Sequence, residues 1–246
     1  MISIVLPVYN QIEWIRETLK CIQTQTYHDF ELIIVDDGST DGSSEVLKEF
    51  STSDSRVHYY YKENGGTGSA LNLGFSYAKG EFGTWISGDN LYSPTVFDAL
   101  VTALKEHPQC GLSFSSFSIR YQNGANTYGE KNIKRVNFKG LVPGIVENFI
   151  QLSFLQCITG ICYLFRMDLK RECGDFINCM GEDYLMGVKM GLKTKVFYVK
   201  DALGIWRGHL NCLTVYSRNE PSLLIDKITG LTANQMVQNL INESSS

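Results

Sequence analysis

Apolar and polar positions recur in a fixed order along the first hundred residues. "ISIVLPV" near the N-terminus is a β-rich run, and "QIEWIRETLKCIQTQ" after it carries Ile12, Ile15, Leu19 and Ile22 at helical spacing. "ELIIVD" (31–36) is a continuous apolar run suited to a strand covered on both faces. The "DGSTDGSS" that follows supplies turn residues and a cap for the helix "SEVLKEF". "RVHYYY" (56–61) and "FGTWIS" (82–87) repeat the scheme, with helical "GSALNLGFSYAKG" between them and "PTVFDALVTALKEH" after them. Four β-α units in succession predict a parallel sheet with helices on both faces, because parallel neighbours need crossovers.

The second half is less regular. "GLSFSSFSIRY" (111–121) alternates like a half-solvated strand, "QNGANTYGEKN" reads as a loop, and "CITGICYLFRM" returns to strand. "CMGEDYLMGVKMGLKTKVFYV" opens a helix at Glu182 and Asp183, with Leu185, Val188 and Met190 as its packing residues. "PSLLIDKITGLTANQMVQNLI" is expected to form a terminal amphipathic helix that covers the domain or contacts another chain, and the closing "NESSS" to fray. The expected division is one domain over 1–220, with a first half (1–107) and a second half (108–220), then a helix and tail over 221–246. The stop soon after the last helix leaves room for a longer parent chain.

Composition narrows the function classes. With 246 residues, 43% of them hydrophobic, the chain can bury a substantial core. A formal net charge of −4 gives no global attraction to nucleic acid or to an anionic membrane. Lys131, Lys134, Arg135 and Lys139 form one local basic run, read as a solvated loop. Seven cysteines without a C-x-x-C pair suit a reducing compartment better than a disulfide framework or a zinc site. No apolar run approaches the roughly 18 to 20 residues that cross a bilayer, and no leader precedes the first strand, so a cytoplasmic protein is expected.

The unusual residues sit where the predicted strands end. "PVYN" follows the first, "DDGST" the second, "ENGGTGS" the third and "SGDN" the fourth. In an open parallel sheet these are the carboxyl ends, the edge on which ligands bind. A dinucleotide fingerprint fails because "GGTGSAL" places Leu71 where a third small residue belongs, and a P-loop fails for want of its Lys. Paired acids at Asp36 and Asp37 suit hydrogen bonds from a base or ribose. A hard cation at Asp89 would gather a diphosphate. Together these residues suit a nucleoside diphosphate.

The stretch "VLPVYNQ…ETLKCIQTQTYHDFELIIVDDGSTDGS…NGG…ALNLGFSYAKGEF…SGDNLY" resembles the nucleotide-binding half of the family 2 inverting glycosyltransferases of GT-A fold, almost unbroken from Ser3 to about Pro94. The resemblance implies an α/β/α sandwich with a mostly parallel central sheet. It implies a nucleotide-sugar site, usually for a UDP-sugar, built from Pro7, Tyr9, Asn10, Asp36, Asp37, Asn64, Ser87 and Gly88. It further implies a Mn²⁺ or Mg²⁺ ion on Asp89 and His209, Arg207 on the diphosphate through the segment "RGH", and Asp183 as general base with Glu182 beside it. The family's metal motif usually reads Asp-x-Asp or Asp-Asp. Here it reads Ser87-Gly88-Asp89-Asn90, and the missing leading acid is the one that helps hold the ribose in the resemblance. The acceptor, whether glycan, lipid-linked sugar or protein, stays open. Two other readings fit the fold: a catalytically silent nucleotide-sugar binding module, favoured by Gly88, and a nucleotidyltransferase, which would want a basic loop near the first strand.

Overall fold

The computed structural model describes residues 1–121, 133–136, 142–146, 161–178 and 181–208. The four β-α units form as the pattern predicts. Strands β1 (Ile2–Val8), β2 (Phe30–Asp36), β3 (Val57–Tyr61) and β4 (Phe82–Trp85) alternate with helices α1 (Ile15–Gln23), α2 (Ser43–Ser53), α3 (Thr67–Ser76) and α4 (Val96–Glu106). β1 pairs in parallel with both β2 and β4, and β2 with β3. Every residue of β1 and β2 is buried, which explains their unbroken apolar runs. Pro7 is tolerated inside β1 because its missing N–H falls on the β4 side. Val5 uses that side to accept from the Ile86 N–H, and the pairing with β4 ends at Val5 opposite Trp85.

α1 starts three residues later than the apolar spacing suggests. Ile12 lies outside it and is exposed, because the amides of Gln11 and Ile12 donate to the Ser43 hydroxyl (2.9 Å) and to the Asp41 carboxylate (2.9 Å). These side-chain acceptors hold the preceding stretch in a turn before the helix ladder begins.

The second half converts the parallel sheet into a mixed one. Strand β5 (Leu91–Tyr92) follows the β4 end, and β6 (Cys110–Tyr121), β7 (Ile133–Val136), β8 (Gly144–Val146), β9 (Tyr163–Arg166) and β10 (Lys195–Gly208) complete it. The order is β3-β2-β1-β4-β9-β6-β10-β5, with β7 on β6 and β8 on β10. β9 runs antiparallel between β4 and β6, while β10 returns parallel to β6. Helices α5 (Met167–Cys173) and α6 (Glu182–Lys193) lie between β9 and β10. Leu185, Val188 and Met190 of α6 are buried as expected.

One expectation needs correction. β6 is not half-solvated, since residues 111–117 are all buried. Its serines find partners inside the protein: the Ser113 hydroxyl donates to the Leu100 carbonyl (3.0 Å), and Ser116 shares a hydrogen bond with the Tyr198 hydroxyl (2.6 Å).

Among the described residues no helix is long and apolar enough to cross a membrane. The described cysteines, Cys21, Cys110, Cys162 and Cys173, are free thiols. Burial pushes the Cys162 thiol up to about 12, which leaves it protonated and inert. The expected loop after β6 and the terminal helix lie outside the described residues.

Candidate functional site

Four strand ends meet at one edge, and hydrogen bonds between loops fix their spacing. At the end of β1, Tyr9 is half exposed and Asn10 adopts a left-handed conformation (φ 51°). The Asn10 side-chain oxygen accepts from the Thr40 N–H (2.8 Å), and its own N–H donates to the Ser39 hydroxyl (3.1 Å), tying this loop to the one after β2.

The two acids after β2 part company. Asp36 is fully buried and accepts from the Ser39 N–H (2.9 Å), the Tyr59 hydroxyl (2.8 Å) and the Ser44 hydroxyl. It therefore holds the turn and the start of α2. Asp37 faces the loop after β3 instead. It accepts from the Gly65 N–H (3.0 Å), the Gly66 N–H (2.8 Å) and the Lys62 ammonium (2.5 Å). A carboxylate takes about four hydrogen bonds, so these three leave Asp37 room for one more. The Asn64 amide donates to the Asp37 carbonyl (3.1 Å). Gly38 between them has φ 81°, and a Cβ there would lie 2.9 Å from the Asn64 nitrogen, so both conformation and close approach require glycine. The Asp37–Lys62 pair was not legible in sequence, because nothing in "YYKENGG" tells which way the lysine points.

The loop after β4 carries Asp89, which is 8% exposed and accepts from the Ser87 hydroxyl (2.5 Å). Its three successive carbonyls are anchored from behind. The Thr18 hydroxyl lies 2.8 Å from both the Gly88 and the Asn90 carbonyls, and the Arg207 Nε–H donates to the Asp89 carbonyl. Arg207 is fully buried. Its guanidinium also donates to Glu17 (2.6 Å) and stands over the Trp14 ring (4.9 Å), while its backbone N–H donates to the Asn90 side chain (3.1 Å). The diphosphate role expected for Arg207 meets a physical obstacle: the guanidinium points into the protein, toward α1, and clamps the acid's loop. β10 can bring it there because register shifts between Lys195/Val196, Val199/Ala202 and Ala202/Ile205 bend the strand, so that Gly204 and Ile205 reach Tyr92 and Leu91 of β5. His209, two residues further on, lies outside the described residues.

Glu182 and Asp183 begin α6, where the helix dipole favours negative charge. The chain just before them is locked onto the first half. Asn72 of α3 donates to the Phe176 carbonyl (2.9 Å) and accepts from the Phe176 N–H (2.8 Å), while the Asn178 amide donates to the Gly65 carbonyl (2.6 Å). Two buried phenols lie within the fields of acids from the two halves. Burial, then the charge of Asp183, raises the Tyr163 phenol well above its ordinary value, with Glu182 and Tyr92 adding. Tyr92 in turn accepts from the Ser87 N–H (2.9 Å) and feels the charge of Asp89. The Asn178–Gly65 hydrogen bond ties the chain just before α6 to the loop after β3, whose Gly65 and Gly66 amides hold Asp37.

Burial, with the Asp183 charge adding, pushes the Glu182 carboxyl up from 4.5 to about 8. A carboxyl raised in the folded state binds its proton more tightly than in the unfolded chain. Its favourable contribution is therefore complete below about pH 4.5 and lost as pH rises through about 8. Glu182→Gln, neutral throughout, should gain thermal stability relative to wild type progressively across that window and hold a constant difference above it. Melting curves at pH 4, 6 and 9 check this; a difference independent of pH would contradict it.

Among the described residues no three His, Cys, Asp or Glu side chains come together as a metal site. Among the described residues, the loop after β4 offers one anchored carboxylate, that of Asp89, at this edge. Hard oxygen chemistry of that kind fits Mg²⁺ or Mn²⁺, which commonly take one or two protein carboxylates and fill the shell from substrate phosphates and water.

The family model "Glycosyl transferase family 2" matches residues 3–174. An uncharacterized glycosyltransferase of Rickettsia typhi is 39% identical over 106 residues, 43% of this chain and 32% of that protein, so the chain spans about a third of that relative's length. Among solved structures, S. aureus TarS 1-349 in complex with UDP-GlcNAc superposes with a TM-score of 0.69 at 20% identity, over 85% of this chain and 58% of that one. The mannosyltransferase PcManGT from Pyrobaculum calidifontis, in complex with GDP-Man and Mn²⁺, superposes with a TM-score of 0.68 at 17% identity, over 99% of this chain and 68% of that one. These likenesses show a GT-A fold.

Proposed function

The chain belongs to glycosyl transferase family 2, and from that premise we propose that it moves a sugar from a nucleoside-diphosphate donor to an acceptor hydroxyl by a single inverting displacement. The observation that carries the reading is the docking of the chain just before Asp183 onto the loop after β3: the Asn178 amide donates to the Gly65 carbonyl (2.6 Å), beside the Gly65 and Gly66 amides that hold Asp37. Solved relatives of this fold bind UDP-GlcNAc or GDP-Man, the latter with Mn²⁺, which supports a nucleotide sugar and a divalent ion here.

Each residue has a task in this reading. Asp37, with its remaining acceptor site, and the half-exposed Tyr9 receive the base; Pro7, Asn10 and Asn64 shape that pocket, and Ser87 steadies Asp89. Asp89, joined by His209, would hold the Mn²⁺ or Mg²⁺ ion. The bound ion supplies charge stabilisation to the departing diphosphate. Asp183 takes the proton of the acceptor hydroxyl while that oxygen attacks the anomeric carbon. A carboxylate is a far weaker base than an alkoxide, so the proton moves late, as the new bond forms. Burial and the neighbouring Asp183 charge make Glu182 hold its proton more readily than an ordinary glutamate, which limits the negative charge at the helix start.

A panel of UDP- and GDP-sugars incubated with Mn²⁺ and oligosaccharide acceptors tests the reading. Release of nucleoside diphosphate that requires the ion, with an inverted anomeric configuration by NMR, is the expected result. Retained configuration would contradict the mechanism. Tight donor binding without turnover would instead support the second reading, a silent binding module, which the absence of an acid at Gly88 favours.

A further inference from the structure

The peptide unit between Gly65 and Gly66 is gripped from both sides. Its N–H donates to the Asp37 carboxylate (2.8 Å), and its carbonyl accepts from the Asn178 amide (2.6 Å). A peptide is planar, so the two bonds share one rigid plate, and turning it for one partner disturbs the other. Glycine is required along this loop. Gly66 has φ 88°, and a Cβ on it would lie 2.7 Å from the Asn178 side-chain oxygen; a Cβ on Gly68 would lie 2.7 Å from the Asn178 Cα and 2.9 Å from the Ile177 carbonyl oxygen. The segment that docks here is pinned a second time, because Phe176 stacks on Phe75 (5.6 Å) and its backbone exchanges two hydrogen bonds with the Asn72 side chain. The four residue steps from Asn178 to Glu182 reach at most roughly 14 Å, so α6 starts close to this contact.

We infer that Asn178 is a positioning residue that couples the loop holding Asp37 to the first turn of α6, which carries Asp183. This deepens the nucleotide-sugar reading above and rests on it. Asp37 has one acceptor place left, and a nucleotide N–H that takes it draws on the same carboxylate that the Gly66 N–H serves. The plate resets, and its carbonyl shifts against the Asn178 amide. Occupancy of the donor loop is thereby felt at the start of α6. Asn178 is exposed and gives this loop one neutral hydrogen bond, so its removal cuts the link while Asn72 and Phe75 still hold Phe176.

Hydrogen–deuterium exchange of the wild type, Asn178→Ala and Gly68→Ala, each alone and with UDP or GDP plus Mn²⁺, tests the coupling. Alanine at 68 crowds the docked backbone and leaves the Asn178 side chain in place, which makes the two variants independent. Nucleotide should slow exchange over residues 181–193 of the wild type by about five-fold or more, the lower range of coupling between sites. Both variants should lose that slowing while binding nucleotide within about two-fold of wild type, as surface changes do. Without nucleotide, both should speed exchange over 62–68 and 181–193 together. A wild-type α6 indifferent to bound nucleotide, or variants that keep the slowing, would overturn the coupling; faster exchange confined to one of the two segments would overturn the tether. Wild type that binds neither UDP nor GDP would instead overturn the donor reading, and the comparison without nucleotide would still decide the tether.

Discussion

Asp89→Asn is expected to abolish metal-dependent transfer, lowering kcat/KM by on the order of 10³-fold, since metal charge stabilisation is worth several kcal/mol and each ~1.4 kcal/mol is tenfold. Asparagine keeps the volume and one acceptor for the Ser87 hydroxyl, so the loop should stay in place. Metal-free binding of nucleotide should survive, while the stimulation by Mn²⁺ is lost. Titration of activity against Mn²⁺ checks this; a variant that transfers sugar at the wild-type rate would remove Asp89 from the mechanism. Arg207→Met provides the contrast. It leaves the ligand but removes the donor to the Asp89 carbonyl and the pair with Glu17. The expected result is a shift of about ten-fold in the Mn²⁺ concentration for half-maximal activity, with kcat recovered at saturation; each tenfold corresponds to ~1.4 kcal/mol of loop misplacement. An arginine acting on the diphosphate would instead depress kcat at every Mn²⁺ concentration.

The second large effect belongs to Asp183. Asp183→Asn should lower kcat by roughly 10²- to 10⁴-fold, the usual contribution of a positioned base, without changing nucleotide affinity. Asparagine cannot take the acceptor proton. It also removes the neighbouring charge that helps hold the Glu182 proton, so Glu182 should titrate at lower pH in this variant. Steady-state kinetics with nucleotide binding measured separately checks the split. Loss of nucleotide binding in parallel with kcat would argue that the residue organises the site and does no proton transfer.

The parallel half of the fold was legible because its physics is local. β1 and β2 are covered on both faces and read as continuous apolar runs, while each following helix keeps its apolar spacing. β6 defeated the same reasoning. Its alternating serines look solvent-facing in sequence, but Leu100 and Tyr198, which satisfy them, are distant in the chain. The positions of Asp37, Asn64 and Asp89 at the strand ends follow from the order of strands and turns. The directions of their neighbours do not. Asp36 and Asp37 are adjacent and chemically identical, yet one is sealed against Ser44 and Tyr59 and the other opens to the β3 loop, a consequence of strand alternation at the end of β2. The resemblance assigns Arg207 to the diphosphate; the bends in β10 carry its guanidinium toward α1 instead.

A crystal of the protein grown with Mn²⁺ and UDP, with anomalous scattering recorded at the manganese edge, tests the account most directly. The expected result is one strong peak about 2 Å from the Asp89 carboxylate, with the diphosphate oxygens completing its shell and the open side facing Asp183. A diphosphate seated at this edge with no peak beside Asp89, or a manganese ion bound elsewhere, would contradict it.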